Sequence, residues 1–283
     1  MKIYQMTEST PGQMMGYIFD DEKGHIAVMD GGNYGDGEHL LAWLKKITGS
    51  DKPHIHTWLM SHPHSDHVDA FRWMLAERAG EWSCDRVIYH LPTVEYVDKY
   101  KYTDDEPVTI QQMEEIVANY PELMQLAENG AVYTVGDMNF TVLYTPKYET
   151  PSNVVNNGSV VYRLTCEGVS ALFLGDLGVE GGEELLEAHS DIRSDMVQMA
   201  HHGQNGVDRP VYEAASPSHC LWPTPQWLWD NNPGTGYNTG FWKTLIVRGW
   251  MKEIGATCDV CTRDGDKLIT CRNGKIEVEA VEL

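Results

Sequence analysis

Basic residues are scarce in this 283-residue chain: 21 lysines and arginines stand against 42 aspartates and glutamates, for a formal net charge of −21. An acidic field of that size repels DNA, RNA and anionic membrane, so nucleic acid is disfavoured as a partner. Long apolar runs are missing too. Mean hydropathy is −0.39, and no stretch approaches the roughly 18 residues a membrane span needs. The N-terminal MKIYQMTEST lacks the apolar core of a secretory signal, so a cytoplasmic chain with no membrane partner is expected. Six cysteines are too few for a disulfide scaffold in a chain long enough to bury an ample core. Cys258 and Cys261 form an isolated C-x-x-C in a β-rich stretch. Half-buried thiols of a hairpin are the preferred reading there, ahead of half a zinc site or a redox pair. With 42% hydrophobic and 22% charged residues, the bulk of the chain is not disordered.

What is present is an alternation of short apolar strands with amphipathic helices. The first half predicts strands over 14–19, 25–29 and 54–60 and helices over 38–47, 68–77 and 108–129, the last open to a break at Pro121. The second half predicts a hairpin over 160–165 and 169–174, strands over 196–199 and 219–222, and helices over 183–188, 207–214 and 239–254. Residues 257–281 read as β structure with turns at Asp264-Gly265-Asp266 and Asn273-Gly274. No linker divides the halves, so residues 1–283 are read as one domain of stacked sheets with helices outside.

The segment Ser61-His62-Pro63-His64-Ser65-Asp66-His67 lies between a predicted strand and a predicted helix. Imidazole and carboxylate ligands suit zinc, with manganese or iron as alternatives. Alternate residues of an extended loop point the same way, so His62 and His64 can grip one ion. Asp66 and His67 begin the next turn and face a second ion. Asp176 ends an apolar strand, where an unpaired charge is costly, and one carboxylate can bridge two cations. His201 and His202 are adjacent and point differently. Asn156 and Asn157 are either donors to a substrate oxygen or turn residues. The Gly-rich stretch from Gly32 to Gly37 is explained by turn formation, in a loop that could border the metals. Trp222, Trp227, Trp229, Tyr237, Phe241 and Trp242 cluster in a proline-broken stretch. Core packing is the preferred reading of that cluster. A substrate wall that includes Trp222 and Trp227, able to cage a quaternary ammonium, is the alternative.

The pattern H-x-H-x-D-H resembles that of the metallo-β-lactamase superfamily. Met29-Asp30-Gly31-Gly32, Leu172-Phe173-Leu174-Gly175-Asp176 and Met199-Ala200-His201-His202-Gly203 resemble its other motifs in the expected order. This resemblance implies an α/β fold: an αββα sandwich, two mixed sheets face to face with helices outside and the site along one edge. It also implies two divalent ions held by His62, His64, Asp66, His67, Asp176 and His202. His201 is then left for the substrate's phosphoryl or acyl oxygen, with the reverse assignment of the two histidines still open. One departure stands out. Many members carry a third histidine for the first metal between the first motif and the bridging aspartate, where this chain has only His90. Asn153-Val154-Val155-Asn156-Asn157-Gly158-Ser159 stands in that place. Its Asn-Asn-x-Ser, with Leu-Gly-Asp and His-His-Gly, is similar to the hydrolase domain of ComEC-type competence proteins and to the phosphorylcholine esterases that trim teichoic acid. The first metal keeps His62, His64 and Asp176, an open coordination of the catalytic kind.

The expected function is a dinuclear metal-dependent hydrolase of a small phosphodiester, such as a nucleotide or phosphocholine ester. It would use a metal-bound hydroxide, with Asp66 and His201 as its catalytic residues. An acyl hydrolase of the lactonase, thioesterase or β-lactamase type keeps the same site, and a non-catalytic metal or ligand sensor is a third reading. Flavodiiron-type redox chemistry is disfavoured by His64, where a glutamate would be expected.

Overall fold

The computed structural model describes residues 1–100, 107–149 and 151–283. In chain order the first half comprises β1 (Lys2–Gln5), β2 (Gly16–Asp20), β3 (Ile26–Asp30), α1 (Gly37–Thr48), β4 (His54–Ile55), β5 (Thr57–Leu59), α2 (Ser65–Glu77), β6 (Ser83–Cys84), β7 (Val87–Tyr89), α3 (Val94–Tyr100), α4 (Pro107–Asn119) and β8 (Met124–Leu126). The second comprises β9 (Val132–Val135), β10 (Met138–Tyr144), β11 (Val161–Cys166), β12 (Val169–Phe173), α5 (Val179–Ala188), β13 (Met196–Gln198), the single turn α6 (Ala200–Gly203), α7 (Arg209–Ala215), β14 (His219–Trp222), α8 (Gln226–Trp229), α9 (Thr244–Ile254), β15 (Cys258–Cys261), β16 (Lys267–Arg272) and β17 (Lys275–Ala280).

Among the described residues these strands build an eight-stranded sheet, β17-β16-β1-β2-β3-β5-β7-β8, a seven-stranded sheet, β15-β14-β13-β12-β11-β10-β9, and a small β4-β6 pair. Both large sheets are mixed: β3, β5, β7 and β8 run parallel, as do β12 to β15, and the remaining neighbours are antiparallel. Strand alternation sorts the side chains into layers. Tyr17, Phe19 and Met29 of one sheet meet Phe140, Tyr162 and Phe173 of the other in a shared core. On the outer faces, Ile18 and Val28 pack with Leu40, Leu44 and Phe71 of the first helices. Val161 and Leu172 pack with Leu185, Val211 and Val247. The result is the expected αββα sandwich.

Three departures from the sequence reading have physical causes. The helix expected over 108–129 stops at Asn119, and Met124–Leu126 instead pairs in parallel with β7. Pro121 lacks the N–H a continuing helix needs. The strands β1, β6, β7, β9 and β10 and the helix α3 went unpredicted; all but β10 and α3 have four residues or fewer, too few to show a period. Cys258 and Cys261 occupy one strand three residues apart, so they face opposite ways: Cys258 packs toward the shared core, Cys261 toward the outer one. That geometry excludes a metal or disulfide shared by the pair. No helix among the described residues is long and apolar enough to cross a membrane.

Candidate metal centre

Parallel strands place their carboxyl ends together, and the loops leaving those ends collect polar groups. Asp30 ends β3, residues 61–67 leave β5, Asp176 follows β12 and His201-His202 follow β13. The backbone at these ends is bent to order. Gly175 has φ +56, and a Cβ there would lie 2.9 Å from both Ser159 Oγ and Ser61 Cβ. Gly203 has φ +77, and its Cβ would meet the Trp222 ring at 2.4 Å. Only glycine satisfies both demands. His201 and His202 themselves adopt φ +52 and +55, a left-handed pair that costs of order 1–3 kcal/mol per residue.

Seven of the residues singled out in the sequence converge there. Asp176 is buried; its Oδ1 lies 3.3 Å from His67 Nε2, and its Oδ2 lies 3.5, 3.7 and 3.8 Å from Nε2 of His202, His62 and His201. Asp66 Oδ2 is 3.2 Å from His202 Nε2. His64 Nδ1 sits 3.0 Å from His62 Nε2, at the rim of the group. Two clusters here have donor atoms within 4.8 Å of one another, His62, His67 and Asp176, and Asp66, His67 and His202; a third such group, His54, His56 and Asp85, lies apart from these residues. The fit to a cation is carried by unsatisfied atoms. Both Asp176 oxygens and the Nε2 atoms of His67 and His202 are buried without a hydrogen-bond partner, an arrangement too costly to leave uncompensated. The donor set of imidazole and carboxylate suits a borderline transition metal.

Outer partners aim two of the imidazoles. Asp30, fully buried, accepts from Ser61 N at 2.8 Å and Ser61 Oγ at 2.7 Å, and lies 2.7 Å from His67 Nδ1. His202 Nδ1 lies 2.9 Å from the Pro223 carbonyl, to which it donates. In each ring Nδ1 is thereby occupied and Nε2 is the nitrogen that points inward. Ser159 Oγ accepts from Asp176 N at 3.0 Å, fixing the turn that delivers the carboxylate. Burial, reinforced by His67, holds His62 well below the ordinary histidine range. Burial acts the same way on His67 and His202, but the carboxylates overrule it: Asp176, Asp30 and Asp66 raise His67 well above that range, and Asp176 and Asp66 push His202 up to about 9. Asp66 and Asp176 are driven well below the carboxylate range against their burial by His67 and His202. The pocket is built to hold positive charge.

Two of the four expected substrate contacts are corrected. Trp222 is fully buried, packed on Trp229 at 5.3 Å between centroids, with Nε1 bonded to Asp259 Oδ1. It is core, because β14 is an inner strand covered by helices. Asn157 is spent on structure: Oδ1 accepts from Gly178 N and Gly181 N, and Nδ2 donates to Ser152 O and Glu180 Oε2. With every amide group engaged, it tethers the start of α5. Asn156 is also buried, with Nδ2 bonded to Asn153 Oδ1 at 2.9 Å. Trp227 alone of the four stands at a surface, against Trp242 at 4.9 Å and with Nε1 reaching Gly12 O at 3.3 Å. The sequence reading missed Gln13, which no motif surrounds, and Gln198 and Gln204, which flank the His-His-Gly motif: Gln198 bonds Leu174 N and the carbonyls of Gly175 and Met199, and Gln204 bonds Gln13.

No family model matches the chain. Over 102 residues, 36% of this chain, it is 32% identical to ComE operon protein 3 of Bacillus subtilis (strain 168), and that stretch is 12% of the relative's length. Among solved structures, the metallo-β-lactamase fold protein YhfI from Bacillus subtilis superposes with a TM-score of 0.54 at 12% identity, covering 98% of this chain and 99% of the other. A variant of CmlA β-hydroxylase gives a TM-score of 0.50 at 13% identity, covering 89% and 53%. The chain therefore has the metallo-β-lactamase fold. Locally it is similar to ComE operon protein 3, in agreement with the resemblance of its motifs. A hydroxylase among the neighbours makes plain that the chemistry must be argued from the site.

Proposed function

We propose that the protein is a dinuclear metal-dependent hydrolase of small phosphodiesters, and the observation that carries this reading is the buried, unpartnered Asp176 carboxylate ringed by four imidazoles. His62, His64 and Asp176 would hold one ion, and Asp66, His67, Asp176 and His202 the other; zinc is the favoured ion, manganese or iron the alternatives. When bound, such ions acidify water and polarise the scissile group. Asp66 orients the attacking water through its carboxylate. His201, partly exposed and with no partner on Nδ1, faces the substrate and stabilises charge gathering on a phosphoryl oxygen. Trp227, whose Nε1 reaches the carbonyl of Gly12 next to Gln13, is the aromatic side chain we assign to the substrate.

Support for a phosphodiester over an acyl bond comes from Asn-Asn-x-Ser with His-His-Gly and from the local similarity to ComE operon protein 3. A small substrate fits the charge of −21, because a ligand lying wholly within the field of the ions escapes distant carboxylates. Elemental analysis paired with a chromogenic panel tests this. Bis-aryl or aryl-alkyl phosphodiesters should turn over well above lactones, thioesters and cephalosporins, and oligonucleotide binding should weaken steeply with salt. Lactone turnover exceeding diester turnover, or salt-independent DNA cleavage, would refute the reading.

The two adjacent histidines separate cleanly. His202→Ala should lose an ion, because its oriented Nε2 points at Asp66 and Asp176. His201→Ala should keep its metal content and lose roughly 10²–10³-fold in turnover, the usual cost of one donor to a developing oxyanion. Metal loss in His201→Ala but not in His202→Ala would reverse the two roles.

A further inference from the structure

The loop before β2 does more than connect strands. Gln13 Nε2 donates to Asp66 Oδ2 at 3.1 Å, and Gln13 Oε1 accepts from Gln204 Nε2 at 3.0 Å. Because an ionised carboxylate only accepts, Asp66 fixes which end of the Gln13 amide it meets and leaves the oxygen for Gln204. Gln204 is buried, and its backbone N–H closes the His201-His202 turn by bonding to His201 O at 2.9 Å. One amide thus ties the two loops that carry Asp66 and His202, which come from opposite sheets.

Gln13 is itself held from behind. Asn33 Nδ2 donates to the Gln13 carbonyl at 2.9 Å, and Met15 N to the Asp66 carbonyl at 3.1 Å. Asn33 is anchored by Asp36, whose buried carboxylate accepts from Asn33 N at 2.9 Å and from Ser9 N and Oγ at 2.8 and 2.7 Å. The Gly-rich turn thereby acquires a purpose. It is the foundation of a chain that runs from Asp36 through Asn33 and Gln13 to Asp66 and Gln204.

We propose that Gln13 is a positioning residue for Asp66 and that, with Gln204, it clasps the two ligand-bearing loops in register. The proposal rests on the metal-site reading and is independent of the substrate. Zinc affinity of the purified full chain, measured by chelator competition, tests it on Gln13→Met, which keeps the size and removes the amide, on Gln204→Ala, and on the double variant. Thermal midpoints of the metal-free forms are recorded alongside. Gln13→Met should bind zinc about 10–100-fold more weakly, the usual cost of losing an outer partner, with only a small fall in the metal-free midpoint from the acceptor that Gln204 loses. Gln13→Glu, which sets a like charge against Asp66, should lower that midpoint and be rescued by zinc.

The double variant should lose little more than Gln13→Met, since both residues act through one hydrogen-bond chain. If Gln13→Met fails to fold, Gln204→Ala carries the same expectation at smaller size. Zinc affinity unchanged in a folded Gln13→Met, or strictly additive losses in the double variant, would overturn the proposal. A wild-type chain that binds zinc tightly, loses it on Gln13→Met, yet hydrolyses no member of the panel would instead sink the hydrolase reading and leave this one standing.

Discussion

Asp176→Ala is expected to lose both ions and to lower turnover by roughly a thousandfold or more. The size follows from what a hydrolytic metal supplies, several kcal/mol of charge stabilisation, at about 1.36 kcal/mol per decade of rate. The cause is local. Asp176 lies within 4 Å of His62, His67, His201 and His202 together, so both ions would lose a shared anion and repel across the gap it leaves. Asp176→Asn is the sharper variant, because it keeps the volume and removes the charge. Metal analysis after saturation with zinc should show no bound ion in Asp176→Ala and at most one per chain in Asp176→Asn, which keeps one amide oxygen. Two retained ions with unimpaired turnover would mean that Asp176 bridges nothing.

The second large effect is expected at Asp30, which touches no substrate. Its carboxylate takes up Ser61 N, Ser61 Oγ and His67 Nδ1 with no exposure to solvent. Asp30→Ala leaves a buried backbone donor and a raised-pKa imidazole without their acceptor. Breaking a buried pair in this way costs about 3–5 kcal/mol, and Ala at φ +54 adds strain that Asp tolerates better. Metal affinity should also drop about 10–100-fold, since the His67 ring loses the bond that sets its tautomer and direction. Denaturant unfolding of the metal-free forms measures the first effect and chelator competition the second. Asp30→Asn should recover most of the stability and only part of the affinity, since an amide can replace one contact but not the charge. Equal stability of Asp30→Ala and wild type would show that Ser61 and His67 find other partners.

The layered architecture was readable because its signals are periodic. Tyr17 and Phe19 alternate with Ile18, and Leu172 alternates with Phe173, so each strand carries its two faces in its own pattern. The histidine-rich loop was readable because four candidate ligands, three histidines and one aspartate, fall within six residues. The substrate-contact readings of Trp222 and Asn157 failed for a shared reason, while core packing and a turn role, also open in the sequence, held. A tryptophan near a motif and an asparagine in a motif have the composition of a binding wall, and only tertiary burial distinguishes a wall from a core or a helix tether.

Local order in the chain determined the αββα layering and the candidate ligands of the first motif, because strand alternation and ligand spacing act over a few residues. Tertiary structure alone decided the rest of the site. Asp66 and His202 are 136 residues apart in number, and they meet only because β5 and β13 end at the same edge of facing sheets. Which of two adjacent histidines turns inward depends on a left-handed turn, a Pro223 carbonyl and the Gly203 contact with Trp222. Gln13 is an unremarkable amide until folding sets it between Asp66 and Gln204. Hydrogen bonds between distant segments leave no period in a sequence, and they are what aim this centre.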